Sequence, residues 1–261
     1  MIVTVVTPTL NAMEYIAECV ESARHQTTDK VEVEHVVVDG GSNDGTVEFA
    51  RSHGCVVLTG EDEGIFDAIN RGSFNSSGTL LGFLGADDTL LPGALDTIVR
   101  AYERHGEPWL VGRVRWIDAD GTAHGDLSAP PSWVSAPMLA SLGWNCIPHT
   151  STYMHRDLFE QLGGFNKALK YSGDYEFFVR ARRRGSYLRI HRALSCFRRH
   201  GQNMSMRADA AQLAENEAVA QSFGPSAPWR RLTYQYFVKL WLNGENLPWS
   251  VHKRLAAVRA R

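Results

Sequence analysis

Four short apolar runs, each ended by a polar loop and followed by residues at helical spacing, constrain this chain most. They are residues 2–6, 31–38, 55–58 and 79–84. Apolar, β-branched runs of this length bounded by turn residues are strands. The stretches between them, such as Ile16, Cys19, Val20 and Ala23, put their apolar residues on one helix face. Strand, loop and helix alternate in this way to about residue 104, the pattern of a doubly wound α/β sheet. The fourth run ends on Gly85-Ala86-Asp87-Asp88, so a buried strand delivers two adjacent carboxylates to the sheet edge where such folds bind ligands. Carboxylates there suit Mg²⁺ or Mn²⁺, which take oxygen ligands and share them with phosphates. The plainer alternative is that both acids precede the helix opening at Pro92, where negative charge is mildly favourable.

Composition narrows the classes. With 261 residues, 44% of them apolar, the chain can bury a full α/β core. A net charge of −2 argues against a general nucleic-acid binder. The charge is uneven, because residues 229–261 hold seven Lys or Arg against one acid, Glu245. Cys19, Cys55, Cys146 and Cys196 are scattered without a CxxC pair, so neither a zinc ribbon nor a disulfide framework is indicated and a reducing cytoplasm fits. The apolar N-terminus has no basic region and meets Pro8 and Asn11 at once, which predicts a strand and not a signal peptide. No window is apolar enough to span a membrane.

The loops carry the chemistry. Thr7-Pro8-Thr9-Leu10-Asn11 ends the first strand, and Asp39-Gly40-Gly41-Ser42-Asn43-Asp44-Gly45-Thr46 ends the second. Asp39 sits where a nucleoside would be read, while Asp44 is expected only to cap the helix at Thr46. In Asp62-Glu63-Gly64-Ile65-Phe66-Asp67-Ala68-Ile69-Asn70-Arg71-Gly72 the apolar residues can face the core. Arg71 is then a natural diphosphate partner, or else an ordinary surface ion-pair residue. No GxGxxG or Walker A loop is present, so metal and side chains must hold the phosphates.

These four segments, in this order and spacing, resemble those of family 2 glycosyltransferases of the GT-A fold, over residues 1–205. The resemblance is to bacterial enzymes of exopolysaccharide, O-antigen or glycolipid assembly. It implies an inverting, metal-dependent transfer of one sugar from a nucleotide diphosphate sugar to a saccharide or lipid-linked acceptor hydroxyl, with Mn²⁺ or Mg²⁺ as cofactor. Asp39 would contact the base, Asp87 the ribose or donor sugar, and Asp88 the metal. Pro8, Thr9, Asn11, Gly64, Asp67, Asn70 and Arg71 would complete the donor site. The family's Asp-X-Asp triplet would here begin at Ala86, leaving the metal to Asp88. The Gln-x-x-Arg-Trp motif of processive members does not appear, which implies single addition.

In the second half, residues 109–117 predict a strand, Asp118-Ala119-Asp120-Gly121 a hairpin turn and residues 134–144 a short helix. Residues 147–154 predict another strand, similar to the floor of the family's acceptor site. His149 on it either meets diphosphate or acceptor, or is a satisfied polar residue beside Pro148. Asp174 opens a helix whose apolar face is Phe177, Phe178 and Ala181. The resemblance makes Asp174 the general base, although Gly173 stands where the family usually has Glu. The helix dipole is expected to keep Asp174 ionised, with Glu176 as the nearest substitute. Residues 196–205 resemble the loop closing over the donor diphosphate, with His200 a candidate metal ligand.

The expected organisation is a GT-A domain over 1–205, split into a nucleotide-sugar half (1–104) and an acceptor half (105–205), with a helical extension over 206–261. In that extension Leu232, Tyr236, Phe237, Leu240 and Trp241 form an apolar stripe, and residues 249–258 repeat the theme. Core packing is the ordinary reading of such a stripe. Among basic residues it also suits an anionic membrane surface, which would place a cytoplasmic enzyme on the inner face of the plasma membrane. A nucleotidyltransferase would want a glycine-rich, basic loop after the first strand, and residues 7–11 have neither feature. A catalytically degenerate sugar-nucleotide binder, hinted at by Ala86 and Gly173, stays open.

Overall fold

The computed structural model describes residues 1–201, 203, 210–224 and 227–245. Its nine described strands form one mixed sheet. Strands β1 (Ile2–Thr9), β2 (Glu32–Asp39), β3 (Val56–Thr59) and β4 (Leu80–Phe83) run parallel in the order β3-β2-β1-β4. The chain winds outward from β1 to β3 and then returns to the other side of β1. The strand order therefore reverses between β1 and β4, and such a switch point opens a crevice at the strands' carboxyl ends. The loops after residues 9 and 83 meet there.

Beyond β4 the order continues β8 (Thr152–His155), β6 (Trp109–Asp118), β9 (Leu188–Arg199) and β5 (Thr89–Leu90), with β7 (Ala123–Leu127) paired to β6 as the expected hairpin. Pairing turns antiparallel at β8, while β6 and β9 are parallel to each other.

Helices cover both faces. On one, Val3 and Val5 of β1 pack with Ile16 and Val20 of α1 (Ile16–Arg24) and with Leu95 and Ile98 of α4 (Ala94–His105). On the other, Val6 packs with Phe66 and Ile69 of α3 (Ile65–Phe74) and with Phe177 and Phe178 of α7 (Gly173–Arg184). The alternation along β1 is what makes a strand buried on both faces. Each such side chain taken fully from water contributes about 1.5–3 kcal/mol. The remaining helices are α2 (Thr46–Ser52), α5 (Ala136–Leu142), α6 (Arg156–Gln161), α8 (Ala210–Ser222) and α9 (Pro228–Glu245).

Three expectations change, the first being that residues 196–199 end β9 instead of opening a loop, while residues 202, 204 and 205 lie outside the described residues. Residues 147–154 are not one strand, because His149–Ser151 form a 3₁₀ turn and β8 begins at Thr152. Pro148 has no N–H to give a ladder, and its carbonyl accepts the Thr152 hydroxyl at 2.7 Å. The α9 stripe is not core, because Leu232, Tyr236, Phe237 and Leu240 are 53–67% exposed. That helix docks by its opposite side, through buried Val238, a Gln235 amide donating to the Leu142 carbonyl (2.9 Å) and Arg231 paired with Glu217 of α8. Trp241 lies under the Arg189 guanidinium. Residues 249–258 lie outside the described residues. Among the described residues no helix is long and apolar enough to cross a membrane.

Candidate active site

At the switch point the first two loops are strapped together by side chains. Asn11, held at a positive φ of 49°, accepts the Asn43 N–H (3.0 Å), and its own N–H meets the Ser42 hydroxyl (2.7 Å). Asp44 accepts the N–H groups of Thr46 and Met13, so it joins the loops from just before α2, whose N-cap is Gly45. Asp39 is 1% exposed and turned into its own loop, accepting the N–H groups of Gly41 (2.9 Å) and Ser42 (2.8 Å) and the Ser42 hydroxyl. Beside it in the β1–β2 register, the Thr9 hydroxyl is buried without a partner.

Helix α3 uses its polar residues internally. Arg71 donates to the carbonyls of Thr59, Gly60 and Glu61, closing the end of β3. Asn70 clasps both backbone groups of Phe165 (2.8 Å each). Gly64, at φ 122°, caps the helix, and Asp67 accepts the Glu63 N–H. Arg71 and Asp67 thus hold the backbone of residues 59–63, and Asn70 holds Phe165.

The two adjacent carboxylates lie in different surroundings. Asp87 is half-buried and accepts from His200 Nε2 (2.9 Å) and the Asn203 amide (2.8 Å). Asp88 is 2% exposed and accepts the Arg198 N–H (2.9 Å). Its burial, reinforced by the Asp87 charge, pushes its carboxyl well above the usual aspartate range. Gly85 is required here, because a Cβ would stand 2.7 Å from an oxygen of each acid. Arg198 organises the corner: its guanidinium donates to the carbonyls of Asp87 and Ala119, pairs with Glu18 and lies over the Tyr15 ring. Strand alternation separates it from Phe197 and Arg199, a signal available once β9 is extended to residue 199.

His200 thus stands on Asp87 and not on Asp88. Among the described residues no three His, Cys, Asp or Glu side chains are grouped to hold a metal ion. One or two carboxylates are nevertheless the usual protein share for Mg²⁺ or Mn²⁺ when phosphates complete the shell. Asp87 and Asp88 fit that limited role.

Asp174 stands in the first turn of α7. Its carboxylate accepts the Asn145 amide (2.6 Å) and the Tyr175 N–H (2.6 Å). The expectation that the helix dipole dominates is corrected, because burial raises its pKa despite these bonds. Nearby His149 is pushed the other way by burial and so favours its neutral form. It sits among Phe83, Phe165 and Phe178 with Nε2 buried and unpartnered. Glu176 points elsewhere, gripped by Arg180 at 2.6 and 2.8 Å. A Cβ on Gly173 would come 2.5 Å from the Phe66 ring, so the glycine is a packing partner of that phenylalanine.

The segment leading into α7 is held from α8. Glu215 accepts the N–H groups of Lys170, Tyr171 and Ser172 at 2.6–2.9 Å, and the Ser172 hydroxyl donates to Asn216. Nothing in the local sequence marks Glu215 or Asn145, whose partners are 43–45 and 29 residues away. Asp87, Asp88, His149 and Asp174 all line one cavity of about 540 Å³, with Pro8 on its rim and Gln212 and Asn216 of α8 in its wall.

The model of the family described as "Glycosyl transferase family 2" matches residues 4–163. A Mycobacterium tuberculosis protein called "PGL/p-HBAD biosynthesis glycosyltransferase" is 30% identical over 187 residues, 68% of each chain. "Glycosyltransferase AglE" of Haloferax volcanii is 28% identical over 202 residues, 74% of this chain and 66% of that one. Among solved structures, S. aureus TarS 1–349 in complex with UDP-GlcNAc overlays 90% of this chain and 70% of its own with a TM-score of 0.66 at 18% identity. The mannosyltransferase PcManGT of Pyrobaculum calidifontis, in complex with GDP-Man and Mn²⁺, overlays 98% and 75% with a TM-score of 0.61 at 21% identity. The chain spans 37% of the TarS chain in a further crystal structure. At these identities the structural likeness concerns the fold.

Proposed function

Since this chain belongs to glycosyl transferase family 2 and has the GT-A fold, we propose that it transfers one sugar, with inversion, from a nucleotide diphosphate sugar to an acceptor hydroxyl. The observation that carries the reading is the shared cavity, which Asp87, Asp88 and Asp174 all line. In the displacement the acceptor oxygen bonds to the anomeric carbon while its proton passes to Asp174. The bond from that carbon to the diphosphate breaks, and its electron pair leaves with the nucleotide. Asn145 orients the Asp174 carboxylate, and burial makes it a stronger base than a solvated aspartate. Asp88, assisted by Asp87, would hold Mn²⁺ or Mg²⁺. When bound, the ion supplies positive charge against the departing diphosphate. Thr9, with its unpartnered hydroxyl, and Asp39 would border the nucleotide in this reading.

Because α8 contributes Gln212 and Asn216 to the cavity, we place that helix with the catalytic unit and not in a separable extension. The binding-only alternative loses one support, because Phe66 packing accounts for Gly173. The test is nucleoside diphosphate release from UDP-, GDP- and dTDP-sugars with Mn²⁺. Release that disappears in EDTA and in Asp174→Asn is expected, and binding without release in every combination would leave only a binding module.

We also place the protein at the surface of an anionic bilayer. Support comes from the exposed Trp229, Leu232, Tyr236 and Leu240 on α9, with Arg230 beside Trp229. Binding to acidic vesicles should fall steeply with salt, since exposed charges are screened beyond about 10 Å at 0.1 M. Equal binding to neutral vesicles would contradict this placement.

A further inference from the structure

The side chains of β6, β7 and β9 that line the cavity are apolar, and the Arg199 guanidinium lies over the Trp116 ring. Val114 and Trp116 are two residues apart on β6, so they point to the same face. Leu127 on β7 stands in register with Val114, and Phe197 on β9 in register with Trp116. The Trp116 and Phe197 rings lie 5.4 Å apart. All four side chains line the cavity, and Trp116, Leu127 and Phe197 are only half-buried. On the Asp174 side, Trp144 and Ile147 line the same space.

A volume of about 540 Å³ lies within the ~300–1,000 Å³ that accommodates a ligand well beyond one sugar ring. The polar groups that line the cavity, among them Asp87, Asp88, Asp174, Asn145, Gln212 and Asn216, are the ones that could receive sugar hydroxyls. Aromatic rings alone could stack on a saccharide. The branched aliphatic side chains Val114 and Leu127 extend the wall with surface suited to hydrocarbon.

We propose that the acceptor is amphipathic, with its hydroxyl at Asp174 and an alkyl or aryl group seated on the Leu127–Val114–Trp116–Phe197 face. This rests on the glycosyltransferase reading for the word acceptor, but the apolar subsite itself can be tested by binding alone. Calorimetric titration of the full chain with octyl β-D-glucoside, below its micellar concentration, is compared with methyl β-D-glucoside. The two ligands share a sugar and differ in seven methylenes. The octyl compound should bind at least about tenfold tighter, a small part of what full burial of its chain would give. Trp116→Thr and Phe197→Ser should each cut that preference to below about threefold. Leu127→Thr serves as a third variant if either of these melts early.

Equal binding of the two glucosides would overturn the inference in favour of saccharide stacking. A preference surviving all folded variants would also overturn it, since the chain would then bind elsewhere, such as the exposed side of α9. Nucleoside diphosphate release is measured separately. Its absence with the octyl preference intact and sensitive to Trp116 would sink the transferase reading while supporting the apolar subsite.

Discussion

Asp88 and Asp174 are both carboxyls whose pKa burial raises, and they face one cavity, yet they are held in opposite ways. Asp88 is fixed at a strand end by its neighbour Gly85 and by the backbone of Arg198 on β9. Asp174 rides on a helix whose approach is pinned by Glu215 from α8, while Asn145 reaches it from the loop after α5. In the proposed reading the donor wall is therefore built into the sheet, and the base wall is assembled from loops and helix α8. This difference implies that chemistry and donor binding can be damaged separately.

The largest expected effect is on chemistry. Asp174→Asn keeps the shape and a hydrogen-bond acceptor for Asn145 but removes the basic site. Turnover should fall about 10²–10⁴-fold. Glu176→Gln should cost stability through Arg180 and leave turnover within about threefold. If Glu176→Gln is inactive while Asp174→Asn keeps more than about a tenth of turnover, the base is Glu176.

Next comes a pair of supporting residues. Glu215→Ala removes the acceptor of three N–H groups and should lower kcat about tenfold with little change in donor KM, and Glu215→Gln should recover part of it. Arg198→Met removes guanidinium bonds beneath Asp87 and should mainly raise donor KM, with a stability loss of about 1–3 kcal/mol in urea. Its ion pair adds little to that figure, since Glu18 is 61% exposed. Matching kcat and KM changes in both variants would erase the distinction between the two walls.

The smallest expected effect is on stability against pH. A carboxyl whose folded pKa is raised is best tolerated below its unfolded value, near 3.9, and costs stability as pH rises through the folded value. His149 pulls the Asp174 pKa back down in part, but burial outweighs it. Asp174→Asn should therefore melt higher than wild type at pH 7.5, and that gain should shrink at pH 4. A gain that is equal at both pH values would show that burial does not govern this carboxyl.

Legibility in the sequence follows the same division. Asp39, Asp87 and Asp88 lie in local strand-end segments, and strand periodicity put them at the correct edge of the sheet. The same local reading placed Asp174 in a first helical turn but mistook the sign of its environment, because burial depends on what packs around it from far along the chain, Asn145 included. It offered Arg71 to diphosphate or to a surface ion pair, and the folded chain turns this guanidinium onto the backbone carbonyls after β3. It left Gly173 as an unexplained departure, because the Phe66 ring that fills its space is 107 residues earlier in the chain. Local pattern shows which groups can do chemistry. Which of them stay free to do it is decided by contacts far apart in sequence.

The central claim is that the donor end and the base end of the cavity are separable. It is tested most directly by calorimetric titration of nucleoside diphosphate with Mn²⁺ into wild type, Asp88→Asn and Asp174→Asn. The account predicts that Asp174→Asn binds within about twofold of wild type, while Asp88→Asn loses at least about tenfold in affinity and no longer responds to Mn²⁺. Equal loss in the two variants, or Mn²⁺-supported binding intact in Asp88→Asn, would contradict it.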